Sequence, residues 1–404
     1  REFNTSLKEL EQMRWSGAVN LSESNLNFSI EVPEIKDFTA KIEMKLGNTD
    51  IKDCSGSIGH LKFDGAVSIT DLKEILTRSN SKIELNGNIH IVELDVQKLP
   101  LEWQFATSNT DSKTENRPVK ISVDAKVDKV VYKKFTASSV SGKINMENEL
   151  LDVKALRFNA LDGQVFADLS FKPTPSGYLL KLNSELGSID ISRTLNEWED
   201  FGQTSVKSSN LRGRTSATLQ ADIHLNAAYE VQMDKLQVES NMEISGGELI
   251  QFEPLLAMSK FISVEELKHV RFDTLRNELS IRDGKLIIPK MSVSSNILNV
   301  QVFGEHSFNQ EMDYHVNLLL NDLIRRKSKK KETFDGHEII DERGKTRLFL
   351  WIRGRPGDLK VGFDKREVKQ KLKEDFKKEG QTIKQLFKEE FGGGKSEEVE
   401  SEEI

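Results

Sequence analysis

The sequence predicts a mainly β protein, an elongated antiparallel meander with one wetted face. Three observations carry this. Long stretches alternate strictly between apolar and polar residues, the period of a half-buried strand. Turn signals recur at short intervals: Leu46-Gly-Asn48, Asn86-Gly87, Asp162-Gly163, Pro173-Thr-Pro-Ser-Gly177, Gly246-Gly247 and Asp283-Gly284. Finally, the 404 residues are 37% hydrophobic, 30% charged and only 7% aromatic, which suits a broad sheet better than a thick globular core.

Taken in order, residues 1–13 place Phe3, Leu7, Leu10 and Met13 at helical spacing, a short amphipathic lead-in. From Trp15 the period becomes two. Ile83, Leu85, Gly87, Ile89 and Ile91 alternate with polar residues, as do Val119, Ile121, Val123, Ala125 and Val127. Val165, Ala167, Leu169 and Phe171 repeat the pattern, and so do Ala217, Leu219, Ala221, Ile223 and Leu225. Buried parallel strands would instead be continuous apolar runs. The alternation amounts to about twenty strands, too many for a simple open sheet, and no fixed-period sequence repeat accompanies them.

Two helical interruptions are expected. Ile191, Leu195, Trp198 and Phe201 share one helical face, and residues 252–269 form a second helix with Pro254 near its start. Ser263 with Glu266 is a capping box that marks a break in the latter. Residues 325–346 leave the strand pattern, beginning with the basic run Arg325, Arg326, Lys327, Lys329, Lys330 and Lys331. Strand character returns at 347–353 and 359–363. From Lys365 to Phe391 the period is helical, through Val368, Leu372, Phe376, Ile383, Leu386 and Phe387. A glutamate-rich tail comes after Gly392-Gly-Gly394 and is expected to be disordered. The chain divides into 1–145, 146–324, a basic loop with final strands at 325–363, an amphipathic helix at 364–391 and the acidic tail at 392–404.

Little here points to catalysis. The seven histidines are scattered without metal-ligand spacing, no G-x-S-x-G elbow occurs, and Cys54 has no histidine beside it in sequence. Gly392-Gly-Gly-Lys-Ser396 resembles the end of a P-loop, but Glu389 stands where its first glycine belongs and no strand precedes it. A net charge of −7 argues against a general nucleic-acid binder. The single cysteine excludes an intrachain disulfide. No apolar run is long enough to span a bilayer. The chain begins at Arg1, so it is expected to be part of a longer product whose signal or anchor helix has been removed.

Three features have two readings each. The alternating apolar face is either the core of a sandwich or a groove that shelters acyl chains, each buried CH₂ contributing about 0.8 kcal/mol. The basic run is either a solvated loop or a site for anionic head groups, at about 1 kcal/mol per basic residue. The terminal helix either docks on the open end of the sheet or lies on a membrane or partner.

Particular motifs add a resemblance. Asn148-Glu-Leu-Leu-Asp-Val-Lys-Ala-Leu-Arg-Phe158, with Leu161-Asp-Gly-Gln-Val-Phe-Ala-Asp-Leu-Ser-Phe171 after it, looks like the recurring unit of the AsmA family of Gram-negative envelope proteins. Leu211-Arg-Gly-Arg-Thr-Ser-Ala-Thr-Leu219 resembles the strand that opens that family's C-terminal part. The glycine turn, helix and strand meander from Ile244 through Ile262 to Phe303 resembles the remainder of that C-terminal part. The resemblance covers 146–324 best and carries no catalytic residue.

It implies a twisted, U-shaped sheet presenting a hydrophobic groove, similar to chorein-class bridge-type lipid transfer proteins. It also implies a periplasmic location, with an N-terminal inner-membrane anchor helix outside this chain. The expected function is non-enzymatic: phospholipids pass along the groove between inner and outer membrane, in support of outer-membrane biogenesis. Membrane proteins would sit at the ends, and no cofactor, metal or nucleic acid takes part. Candidate groove residues are the apolar phases Ile83, Leu85, Ile89, Ile91; Val119, Ile121, Val123; Val165, Ala167, Leu169, Phe171; and Leu219, Ala221, Ile223, Leu225. The alternatives are an assembly factor that offers sheet edges to outer-membrane proteins, and a structural β-protein with a filled core.

Overall fold

The structure, a computed structural model, describes residues 16–26, 34–45, 47–70, 82–99, 119–147, 149–319, 339–340 and 346–370. The expected lead-in helix, the basic run 325–331 and the acidic tail lie outside the described residues. Of the terminal helix, 365–370 are described and are helical.

Among the described residues, alternation of the kind read above builds one sheet of nineteen strands. They are β1 (Gly17–Leu26), β2 (Ile35–Lys45), β3 (Asn48–Ile58), β4 (Leu61–Thr70), β5 (Ile83–Asp95), β6 (Val119–Tyr132), β7 (Phe135–Glu147), β8 (Leu150–Ala160), β9 (Gly163–Thr174) and β10 (Gly177–Asp190). After them come β11 (Leu211–Leu225), β12 (Gln237–Ile250), β13 (His269–Arg282), β14 (Lys285–Ser294), β15 (Asn299–Ser307), β16 (Met312–Leu319), β17 (Ile339–Ile340), β18 (Thr346–Arg355) and β19 (Asp358–Phe363). Each strand from β1 to β16 pairs with its neighbour in sequence, and β18 then pairs with β16, β17 and β19.

Among the described strands one neighbouring pair is parallel rather than antiparallel. β5 and β6 run parallel, from Ile83 opposite Val119 to Asp95 opposite Val131. A parallel neighbour cannot be joined by a tight turn, and the chain between the two strands is correspondingly long. Elsewhere tight turns serve. Asp283 and Gly284 both have positive φ, the type I′ geometry that suits a two-residue hairpin, and the Leu161-Asp162 pair is built the same way.

Several strands contain an internal residue in the left-handed region: Glu23, Asp37, Asp53, Ser139, Ala155 and Ser188. Each sits at a shift in register, so these are β-bulges. A bulge takes a backbone N–H out of the ladder, and here a neighbouring strand supplies the acceptor. Glu23 N–H donates to Thr39 Oγ1 (3.2 Å), Asp37 to Asn25 Oδ1 (3.4 Å), Ala155 to Asp168 Oδ1 (2.8 Å) and Ser188 to Ser216 Oγ (3.1 Å). On this exposed face water could satisfy the N–H instead, so these polar side chains act by tying each bulge to the adjacent strand.

The bulges also preserve the apolar face. Val153 pairs with Leu169 and Leu156 with Ala167, on either side of Ala155. Leu169 and Ala167 are two apart on an unbroken strand, so Val153 and Leu156 share a face although three residues separate them.

The first helical interruption is shorter than its apolar spacing predicts. α1 spans Ile191–Glu197, capped by the Asp190 carboxylate on Arg193 N–H at 2.7 Å. Leu195 is buried, but the helix stops before Trp198 and Phe201. Glu199, Asp200 and Phe201 all take left-handed φ, and Phe201 points into solvent.

The second interruption breaks where expected. α2 (Glu253–Leu256) and a 3₁₀ turn (Ala257–Lys260) precede α3 (Val264–Leu267). Ser263 Oγ caps α3 from the Glu266 N–H at 3.4 Å, while its hydroxyl donates to the Glu266 carboxylate at 2.8 Å. The carboxylate thus meets the serine side chain rather than its backbone.

Candidate functional site: the apolar face

Cross-strand partners share a face, so the registers decide which apolar phases belong together. Leu85 pairs with Ile121, Ile121 with Met146, Met146 with Leu151, Leu151 with Phe171, Phe171 with Leu180 and Leu180 with Ile223. From Ala221, two residues along β11, the row continues through Val238, Ile281, Leu286, His306 and Met312 to Gly354 and Leu359. In the other direction Leu85 leads through Ile69, Thr49 and Met44 to Gly17. One mostly apolar face therefore runs from β1 to β19. At about 4.8 Å per strand its length is on the order of 85 Å.

All four predicted apolar phases lie on this face. Leu85, Ile89, Ile91, Ile121, Val123, Ala167, Leu169, Phe171, Leu219, Ile223 and Leu225 are half-buried, while Val165 and Ala221 are buried. Ile83 and Val119 open β5 and β6 as cross-strand partners, and their side chains lie outside the described ones. The opposite face carries cross-strand ion pairs such as Lys181–Asp222 (2.9 Å), Arg276–Glu243 (2.7 Å) and Lys129–Glu93 (3.2 Å). These are solvent-exposed and contribute little stability each.

The middle of the sheet holds an open depression of about 1000 Å³, lined by short runs from β6 through β12. Each of β6 to β11 contributes one apolar-phase residue and its polar-phase neighbours. On each of these strands a pair of polar-phase residues flanks the single apolar-phase one, and β12 contributes only Glu239 and Asn241, so this depression opens on the wetted face rather than on the apolar one. At one end of the strands Phe171, Tyr178 and Tyr229 stack, with centroids 5.1 and 4.5 Å apart. Burial and the hydrogen bond to Tyr178 push the Tyr229 hydroxyl up to about 12, so it stays protonated. Sequence reading missed this stack because Tyr229 lies in a loop with no strand period.

The C-terminal end of the face is different. Met258, Ile262 and Leu267, from α2 to α3, pack with Met312, Tyr314, Val316, Leu318, Leu348, Leu350 and Ile352 into a buried core. Leu318, Leu348 and Leu350 are fully buried. The helical segment leaves β12 at the rim that also holds the β6–β7 turn. Yet the Glu253 carboxylate accepts the Gly357 N–H at 2.6 Å, and Gly357 sits in the β18–β19 turn on the opposite rim. A second contact of this kind joins Thr204 Oγ1, beyond α1, to Gln310 in the β15–β16 turn.

On the other face of this end, Asp364 N–H donates to Phe349 O (2.9 Å), and its carboxylate accepts from Arg366 and Glu367 N–H and meets His315 Nδ1. It thereby caps the helix that starts at 365. Burial would raise the Asp364 carboxyl, but His315 and the two backbone donors together hold it below the ordinary carboxylate value.

The remaining titratable groups do not assemble chemistry. His90 bridges Asp64 (2.8 Å) and Asp128 (3.0 Å) on the wetted face, and hydrogen bonds to the two carboxylates raise it. Cys54 is buried and its thiol is pushed up by that burial. Among the described residues no cluster of His, Cys, Asp and Glu is arranged to hold a metal, and no helix is long and apolar enough to cross a membrane. Comparison with protein-family models, curated proteins and solved structures found no match.

Proposed function

We propose that this protein is a non-enzymatic lipid-transfer module that shelters phospholipid acyl chains along the apolar face of its sheet. The observation that carries this reading is the union of one continuous apolar face with incomplete burial. From β5 to β11 that face is half-buried along most of its length among the described residues. Acyl chains are the ligand that such a surface suits: they need no directional partner, only area, at about 25 cal/mol per Å² removed from water. Head groups would remain in water at the rims. Contacts between opposite rims at Glu253–Gly357 and Thr204–Gln310 support a curved sheet, hence a groove rather than a flat plate.

The AsmA-like motifs extend the proposal to a periplasmic protein, anchored in the inner membrane by a segment outside this chain. It would pass phospholipid toward the outer membrane with membrane proteins at its ends. The edge strand β1 favours a second reading. Among the described residues it pairs only with β2, and an open edge accepts a client strand as an outer-membrane assembly factor would.

Native mass spectrometry with lipid extraction tests the first reading. Several phospholipids per chain are expected. A lipid-free protein that also refuses a fluorescent acyl chain would sink it, and copurifying barrel proteins would turn attention to the β1 edge.

A further inference from the structure

We propose that the aromatic tip made by Trp198 and Phe201 is the point at which the protein seats on a phospholipid bilayer surface. The proposal rests on the acyl-chain reading only for what lies behind the tip. The tip itself stands on exposure, backbone conformation and ring geometry.

Phe201 is 63% exposed and Trp198 39%, an unusual display for two large aromatic side chains. Their rings are parallel within 3° at 6.4 Å, and Tyr132 lies 6.1 Å from Trp198. The display is built rather than accidental. Glu199, Asp200 and Phe201 all hold left-handed φ, which disfavours L side chains without local support. That support is present. Asp200 Oδ1 accepts from Ser208 N–H at 2.7 Å, and Gln203 Oε1 accepts from Ser205 and Val206 N–H at 2.8 and 2.7 Å. A loop tied in this way presents its rings with little ordering left to lose on contact.

The tip also leads somewhere. Trp198 lies 5.4 Å from Phe135, and Phe135 lies 6.5 Å edge-on from Phe158. Phe135 and Phe158 pack on the buried cluster around Ala160 and Ile189, on the apolar face. An aromatic path therefore joins the exposed tip to that face. Trp and Tyr settle at the head-group level of a bilayer, where one side is apolar and the other wet.

Charge sets the character of the contact. Lys133 and Lys134, in the β6–β7 turn, face Glu199 at 4.0 and 3.9 Å. The tip balances its own charge, so ring insertion rather than attraction to anionic lipid drives the seating, and salt should matter little.

Flotation of the full chain with phosphatidylcholine–phosphatidylglycerol vesicles tests this. The wild type is expected to float at low and high salt alike. Phe201→Ala and Trp198→Ala should each weaken binding about tenfold, the effect of withdrawing part of one large aromatic from the interface. Phe166→Ala, an exposed aromatic on the wetted face of β9, should leave binding unchanged. Phe201 is exposed enough that its variant should keep the wild-type circular dichroism.

The proposal is overturned if the wild type stays unfloated, as a tip serving a protein partner would leave it. It is equally overturned if high salt abolishes binding, or if Phe166→Ala matches Phe201→Ala. Lipid content measured on the same samples separates the two readings. A chain that carries lipid but does not float overturns the seat alone. One that floats through Phe201 but neither carries lipid nor takes up a fluorescent acyl chain keeps the seat and overturns the acyl-chain reading.

Discussion

The β5–β12 stretch and the β13–β19 end use the same strand pattern and the same face, yet among the described residues only the second is closed. At the closed end the segment from α2 to α3 packs Met258, Ile262 and Leu267 onto the face, and Leu318, Leu348 and Leu350 lose all contact with solvent. In the middle the equivalent leucines, Leu169, Leu182 and Leu219, remain half-buried. Alternation thus specifies a sheet and its apolar side but not what covers that side. Coverage comes from some fifteen residues of helical connection inserted between β12 and β13.

The largest expected contrast is in stability. Leu350→Ala removes a fully buried side chain and should cost about 2–5 kcal/mol in chemical denaturation. Leu182→Ala, on the open stretch, should cost about 1 kcal/mol, since its side chain is partly hydrated already. Equal costs would mean that the middle is as well packed as the end.

Next comes the close approach between β4 and β5. A Cβ at Gly87 would stand 2.3 Å from Ala66 O, a backbone atom that cannot turn aside. Gly87→Ala is therefore expected to destabilise by about 1–3 kcal/mol, with hydrogen exchange rising first in β4 and β5.

A smaller effect concerns the cover itself. Ser263→Ala removes the α3 cap and should cost about 1 kcal/mol, with faster exchange in α3 and β18 and no change in β6–β9. Uniform loosening would contradict the separation of the two regions.

The smallest effects are in pH. Asp364 is held low in the folded state, so its contribution is present above the unfolded carboxyl value near 3.8 and is lost as pH falls through the lower folded value. Asp364→Asn should flatten the acid side of the stability profile. His90 is raised above 6.5, so its contribution is present below that value and is lost as pH rises through the folded one. An NMR titration placing His90 at or below 6.5 would argue against the Asp64–His90–Asp128 bridge.

Much of this was legible in the sequence because one face of the sheet is wet, and water imposes the alternation. The Asp283-Gly284 hairpin and the Ser263 break were readable from local chemistry. The bulges were not read, since Ser139, Ala155 and Ser188 carry no glycine signal. In retrospect Val153-Lys-Ala-Leu156 and Leu186-Gly-Ser-Ile189 mark them, with two residues between apolar positions where alternation allows one. The parallel β5–β6 pair left no trace, because alternating strands look alike whichever way a neighbour runs. The spacing of Trp198 and Phe201 misled for another reason: it is helical in period, but the left-handed residues 199–201 end the helix and turn the rings outward.

The open apolar face is probed most sharply by photolabelling with a phospholipid that carries a diazirine in its acyl chain, with the adducts then located by peptide mapping. Adducts confined to β5–β12, at residues such as Leu169, Leu182 and Leu219, with none on β16 or β18, are the predicted result. Labelling spread equally onto Leu318, Leu348 and Leu350, or absent from the middle strands, would contradict an open apolar face that ends at the helical cover.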